Sequence, residues 1–297
     1  MRIVTRPDFD GIVCAVLLSD AETITAPVLW VEPSEIQRGE VDLREGDILA
    51  NLPYDEKCSV WFDHHCTNQI EEPFEGAFKI APSAAGIIWE YYRGRFSRDY
   101  SKLVKETDKI DSANLSRNEV HRPEKYAYVL LSMTILNRER ADEAYWNHLV
   151  DLLGKYSIDQ VLEDPQVKER CDAAIQRNKS YKKLLQEYTC VIEQVAVTDF
   201  RPLGKSPVGN RFLVYSLYPE TVVHVKIRYT DDAHDMVAVS VGHSIFNENC
   251  KVNAGKLLSR FEGGGHRGAA SCRFHVSKSE EYIPKIIDVL IKNEPID

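Results

Sequence analysis

Short apolar runs that stop abruptly at polar clusters recur through the first part of the chain. Arg2 to Thr5 is the first, followed by a carboxylate-rich turn from Pro7 to Gly11 and an apolar run from Ile12 to Leu18. Strand, turn and helix in that order open a βαβ unit. Asp47 to Ala50 runs into Asn51-Leu52-Pro53, and Ser59 to Phe62 runs into Asp63-His64-His65. Both read as strands that deliver polar residues to the rim of a sheet. In open parallel sheets ligands gather at the carboxyl ends of strands, so these three polar clusters are the first candidate site.

The period then lengthens. Ser83 to Tyr92, Asp99 to Ala113, Glu124 to Leu136 and Glu143 to Leu153 carry helical patterns, and Pro165 to Tyr188 reads as a long polar helix able to join two domains. Beyond about Cys190 β-branched residues alternate with turn residues. Val191–Val197, Arg211–Leu217, Val222–Tyr229, Met236–Val241 and Ala270–Val276 are predicted strands. Lys251–Phe261 and Tyr282–Lys292 are predicted helices, and Gly263–Gly268 a glycine loop. The expected architecture is α/β: an N-terminal doubly wound parallel sheet over 1–188 and a smaller α+β domain over 189–297, with an active-site cleft between them.

Composition adds limits. The 297 residues are 43% hydrophobic and 28% charged, an ordinary globular balance with enough apolar mass for two cores. A formal net charge of -9 argues against coating long duplex nucleic acid, while leaving room for a local basic pocket. Seven scattered cysteines without a C-x-x-C pair suggest neither a disulfide framework nor a thiolate zinc site. That usage, a start without the apolar core of a signal peptide, and the lack of any apolar stretch near ~18 residues predict a cytoplasmic protein with no membrane contact.

The chemistry lies in two constellations. Asp8 and Asp10 share a tight turn with Gly11, and two carboxylates so placed repel each other unless a cation lies between them. Asp63, His64 and His65 add oxygen and nitrogen donors that suit Mn²⁺, Mg²⁺ or Zn²⁺. In the C-terminal part, Gly263-Gly264-Gly265-His266-Arg267-Gly268 offers backbone amides and two cationic side chains for an anion, with Asn253-Ala254-Gly255 upstream. Arg228 on its strand is a further candidate for a phosphate, and His243 either reaches the ligand or satisfies the fold.

The Asp8/Asp10 turn followed by Asp63-His64-His65 resembles the DHH phosphoesterase superfamily, which includes RecJ-type nucleases, oligoribonucleases, cyclic dinucleotide phosphodiesterases and family II pyrophosphatases. Residues 252–274 resemble the DHH-associated C-terminal domain. The resemblance implies a manganese site, with Mg²⁺ as the alternative, holding one or two ions. It implies metal ligands among Asp8, Asp10, Asn51, Asp63, His64 and an acid after the next helices, either Asp111 or Asp108. It implies substrate binding at Gly264, Gly265, His266 and Arg267; read from the residues themselves, His64, His65 and Arg6 are expected to carry the reaction chemistry, with Asn253 and Arg228 as further substrate contacts. Two positions depart from the family. Its first-motif histidine would fall at Val4 or Arg6, and its second-motif aspartate at Asn51. The Arg6-x-Asp8-x-Asp10-Gly11 opening and Asn51-Leu52-Pro53-Tyr54 are similar to a subgroup of exopolyphosphatase-related proteins.

The function expected from this resemblance is metal-dependent hydrolysis of a phosphodiester or phosphoanhydride in a short substrate: an oligonucleotide, cyclic dinucleotide or nucleotide. The alternatives are a nucleotide- or polyphosphate-binding protein without turnover, and an exopolyphosphatase. A homodimer remains open.

Overall fold

Strands β1 (Arg2–Thr5), β2 (Leu29–Trp30), β3 (Asp47–Ala50), β4 (Val60–Asp63) and β5 (Gly76–Phe78) form a sheet in the order β2-β1-β3-β4-β5 in a computed structural model that describes residues 1–135 and 140–296. Every pairing in it is parallel. Ile3, Val4, Ile48, Leu49, Ala50, Trp61 and Phe62 are wholly buried, as a sheet covered on both faces requires. The registers Ile3↔Ile48 and Ile48↔Val60 keep β1, β3 and β4 level, so their carboxyl ends reach one rim together.

Helix α1 (Phe9–Ala21) is buried along almost its whole length and packs on α3 (Ala84–Tyr91), α4 (Ser101–Asp111) and α7 (Glu143–Lys155). Its run Ile-Val-Cys-Ala-Val-Leu-Leu is apolar all round, the composition of a helix inside a core. The other helices up to the second sheet are α2 (Pro33–Gln37), α5 (Arg117–His121), α6 (Ala127–Ser132), α8 (Ile158–Glu163) and α9 (Pro165–Tyr188).

By compactness the chain divides into 1–114 with 124–174, and 115–123 with 175–297. The division falls inside α9. Residues 115–123 join the second unit because Val120 packs with Leu213, Val214, Phe200 and Leu185.

The second unit holds β6 (Thr189–Ile192), β7 (Val195–Asp199), α10 (Leu213–Leu217), β8 (Val223–Tyr229), β9 (Met236–His243), α11 (Ala254–Leu258), β10 (Gly263–His266), β11 (Ala269–His275) and α12 (Ser279–Lys292). Its sheet runs β10-β11-β9-β8-β7-β6 and is antiparallel except between β7 and β8. The predicted α/β class with two sheets is what the chain forms.

Several predicted elements differ. Arg211–Leu217 reads as a strand but is helical over Leu213–Leu217, where Leu213, Val214 and Tyr215 are buried among Tyr181 and Phe200. Val191–Val197 is a hairpin rather than one strand, with Glu193 taking a left-handed turn. The predicted glycine loop is an edge strand, β10, followed by a tight turn at Arg267-Gly268. The helix predicted over Lys251–Phe261 is confined to α11 and a 3₁₀ turn. Glu124–Leu136 becomes a 3₁₀ turn and α6, and Leu136 lies outside the described residues.

All seven cysteines are free, and no described helix is long and apolar enough to cross a membrane.

His224 on β8 gives the second unit a pH signature. Its Nε2 lies 2.8 Å from the Thr198 hydroxyl, and burial, with Lys226 nearby, pushes its pKa from 6.5 down to about 3. The unfolded chain accepts this proton near 6.5, the folded chain only near 3. The contribution is therefore complete above about pH 6.5 and declines as the pH falls toward 3. At pH 5 the imidazole should cost about 2 kcal/mol of stability relative to pH 7.5. In His224→Gln, the urea midpoint should fall less between those pH values than in the parent chain. Equal falls would remove His224 as the cause.

Candidate metal centre

The turn between β1 and α1 supplies Arg6, Asp8 and Asp10. The Asp8 carboxylate caps α1, accepting from the Gly11 amide at 2.9 Å. Asp10, in the first turn, is buried. Its two oxygens accept from the Ala84 and Ala85 amides, both at 2.9 Å. These amides open α3, whose Ser83 cap accepts from the Gly86 amide. A helix amino terminus aimed at a buried carboxylate satisfies two orphan donors and favours the negative charge.

His64 follows β4. Its Nδ1–H donates to the Ala81 carbonyl at 3.0 Å, which leaves the Nε2 lone pair pointing inward. That buried Nε2 has no hydrogen-bond partner and lies 3.8 Å from Asp10 and 3.5 Å from Asp111, at the end of α4. Ligand atoms of Asp10, His64 and Asp111 all fall within 4.8 Å of one another. A lone pair facing two carboxylates is repulsive unless a proton or a metal cation lies among them. The set of two oxygen ligands and one imidazole suits a divalent ion of the manganese or magnesium type.

The acidities carry the same strain. Burial, then Asp111 and Asp8, holds Asp10 well above the ordinary carboxylate range. Burial, then Asp8, raises Asp111 to about 6. Asp8 is also raised, by burial, against the lowering effect of Arg6.

Ligand atoms of Asp63, His64 and His65 likewise fall within 4.8 Å of one another, and the other predicted residues make the following contacts. Asp63 is fully buried, and its oxygens accept from His65 Nδ1 at 2.8 Å and Asn68 Nδ2 at 2.7 Å. His65 in turn has its pKa raised, chiefly by that bond to Asp63. Asp108 accepts from the Ser83 hydroxyl at 2.6 Å, so it braces the α3 cap while Asp111 faces His64. Asn51 sits in left-handed backbone, φ 58°, and donates Nδ2–H to Asp8 at 3.0 Å. Arg6 Nε lies 3.3 Å from Asp8 and 3.5 Å from Glu32.

In the second unit, packing accounts for much of the glycine signal. A Cβ on Gly263 would meet the Ser271 carbonyl oxygen at 2.4 Å. One on Gly255 would meet the Gly265 oxygen at 2.2 Å. Gly265 has φ 144°, whereas Gly264 has open space beside it. His266 and Arg267 are exposed at the hairpin end. Asn253 caps α11 by accepting from the Lys256 amide, and His243 donates Nε2–H to the Val252 carbonyl. Arg228 is half-buried on β8, opposite Ala238.

Sequence reading missed Glu32, Asn68 and Ser83. Only Ser83 carried a signal, as a cap before Ala-Ala-Gly.

No protein-family model and no curated protein matches the chain. Among solved structures, the pGpG-specific phosphodiesterase PggH from Vibrio cholerae is 30% identical, with TM-score 0.87, over 98% of this chain and 99% of that one. RecJ in complex with Mn²⁺ from Thermus thermophilus is 12% identical with TM-score 0.57, over 99% of this chain and 52% of that one. An exonuclease RecJ bound to manganese is 11% identical with TM-score 0.53, covering 96% and 88%. At those identities the RecJ structures establish the shared fold.

Near full-length similarity to a phosphodiesterase, on a parallel sheet whose strands end in carboxylates and imidazoles, marks a phosphoesterase. The chain belongs to the DHH superfamily, the family that its Asp63-His64-His65 triplet resembles.

Proposed function

We propose that the protein hydrolyses a phosphodiester bond in a short nucleotide, with linear pGpG the first substrate to test, and that Asp10, His64 and Asp111 hold a divalent ion, Mn²⁺ ahead of Mg²⁺. The observation that carries this reading is the unpartnered, buried Nε2 of His64 facing two carboxylates. When bound, the ion would lower the pKa of a water and neutralise phosphate charge.

The chain's own groups have distinct parts. The α3 amides fix Asp10 and set the direction of its oxygens. Ala81 fixes the His64 tautomer, the role outer partners play for metal-binding imidazoles. His65 keeps a proton at Nδ1 against Asp63, and its raised pKa favours a cationic ring at the rim. That ring, with Arg6, would stabilise charge developing on phosphate oxygen. His266 and Arg267 of the second unit, with Gly264 and Gly265 beside them, are proposed to bind a phosphate of the substrate.

A second reading has one observation in its favour. Asn51 hydrogen-bonds Asp8 and Arg6 lies in ion-pair range of it, which suits a nucleotide- or polyphosphate-binding protein without turnover.

The test is product formation with Mn²⁺ present, using pGpG, other linear dinucleotides, cyclic dinucleotides and polyphosphate. Preferential cleavage of a linear dinucleotide supports the proposal. Binding of pGpG without product, at enzyme equal to substrate, would select the second reading. Polyphosphate as the one substrate cleaved would select an exopolyphosphatase. In the same assay, Arg267→Ala should raise KM at unchanged kcat; a changed kcat alone would refute its binding role.

A further inference from the structure

We infer that this centre takes a single divalent ion and that Arg6 and Asn51 fill the place a second would need. The inference rests on the proposed function above, since it concerns the same centre.

Asp8 is the carboxylate that a second ion would have to recruit. One of its oxygens is hydrogen-bonded and the other lies in ion-pair range of a guanidinium. One accepts from the Gly11 amide and from Asn51 Nδ2, at 2.9 and 3.0 Å. The other faces Arg6 Nε at 3.3 Å. The contrast with Asp10 is chemical. Asp10 is held by neutral backbone amides, which leave its charge to be met by a cation. Asp8 is met by a guanidinium that cannot give up its proton.

Asn51 strengthens the argument. Its amide turns the NH₂ group toward Asp8 and leaves Oδ1 buried without a hydrogen-bond partner. Reversing the amide would place oxygen against oxygen. The side chain therefore gives Asp8 a donor, and its free Oδ1, being neutral, brings no charge to offset a second cation.

A pair of ions about 3.5–4 Å apart needs shared anionic ligands to offset their mutual repulsion. Here one of the positive charges is built into the chain. Arg6 can meet phosphate oxygens as an ion would, through N–H groups.

The experiment is a Mn²⁺ titration of the full chain, followed by calorimetry and electron paramagnetic resonance. The parent chain should bind about one ion per chain with the spectrum of isolated Mn²⁺. The double variant Arg6→His, Asn51→Asp should bind about two, with exchange-coupled lines. Aspartate tolerates the left-handed backbone at position 51, so Asn51→Asp alone is the fallback if the double variant fails to fold. Two coupled ions in the parent chain, or a folded double variant still limited to one, would overturn the inference and leave the proposed function standing. Absence of any Mn²⁺ binding by the parent chain would remove both.

Discussion

Replacing His64 with alanine is expected to lower turnover by about 1000-fold or more while leaving the fold intact. The effect should be that large because His64 is the one imidazole in the Asp10–His64–Asp111 group. Without it, Asp10 and Asp111 face each other with nothing to complete an ion's shell, and Mn²⁺ affinity should fall at least about 100-fold. The structural loss is smaller: one bond to the Ala81 carbonyl at the end of a strand, worth about 1 kcal/mol. His64→Asn separates the two roles. Its amide can reproduce the bond to Ala81 but not the Nε2 lone pair, so stability should recover and activity should not. Circular dichroism, a Mn²⁺ titration and the pGpG assay together give the answer. Retention of more than about a tenth of the parent rate in His64→Ala would end the assignment of this histidine.

Which parts of this centre a sequence can disclose follows from how its residues are brought together. Arg6, Asp8, Asn51, Asp63 and His64 sit just beyond apolar runs, and parallel strands in level register deliver such positions to one rim. Strand ends are therefore legible. Asp10 is legible as a carboxylate beside Asp8, but not as the anion seated on α3, because Ala84 and Ala85 lie 74 and 75 residues away. Choosing between Asp108 and Asp111 needs the helix phase and the position of Ser83, which periodicity along α4 does not contain.

The elements that misled have a common cause. Leu213–Leu217 has strand-like composition, but burial of Leu213, Val214 and Tyr215 in a cluster with Phe200 decides its state. Strands β2 and β5, two and three residues long, are too short to show alternation, and pairing with longer neighbours sustains them. The triple glycine signals close backbone approach. It does not say whether the partner is a ligand or the chain's own α11 and β11, and Gly255, Gly263 and Gly265 answer to the chain.

Gly11→Ala is expected to be the most destabilising single-methyl change near the centre, costing about 4 kcal/mol or more. A Cβ there would lie 1.9 Å from the Arg6 carbonyl oxygen and 2.9 Å from its carbon. That obstacle is backbone, and it cannot rotate away as a side chain would. Nor can α1 retreat, since Ile12, Val13 and Cys14 beyond it are fully buried. Relief would have to come from the Arg6–Asp8 turn, which positions the guanidinium and the capping carboxylate. Stability and the centre should therefore fail together. At that cost the midpoint of thermal unfolding should drop by about 10 °C, and any soluble fraction should bind Mn²⁺ more weakly than the parent. Gly264→Ala is the matched control, because nothing lies within 4 Å of the position its Cβ would take. A Gly11→Ala chain as stable as Gly264→Ala would mean that the turn leading into α1 lies farther from the helix than the 1.9 Å contact requires.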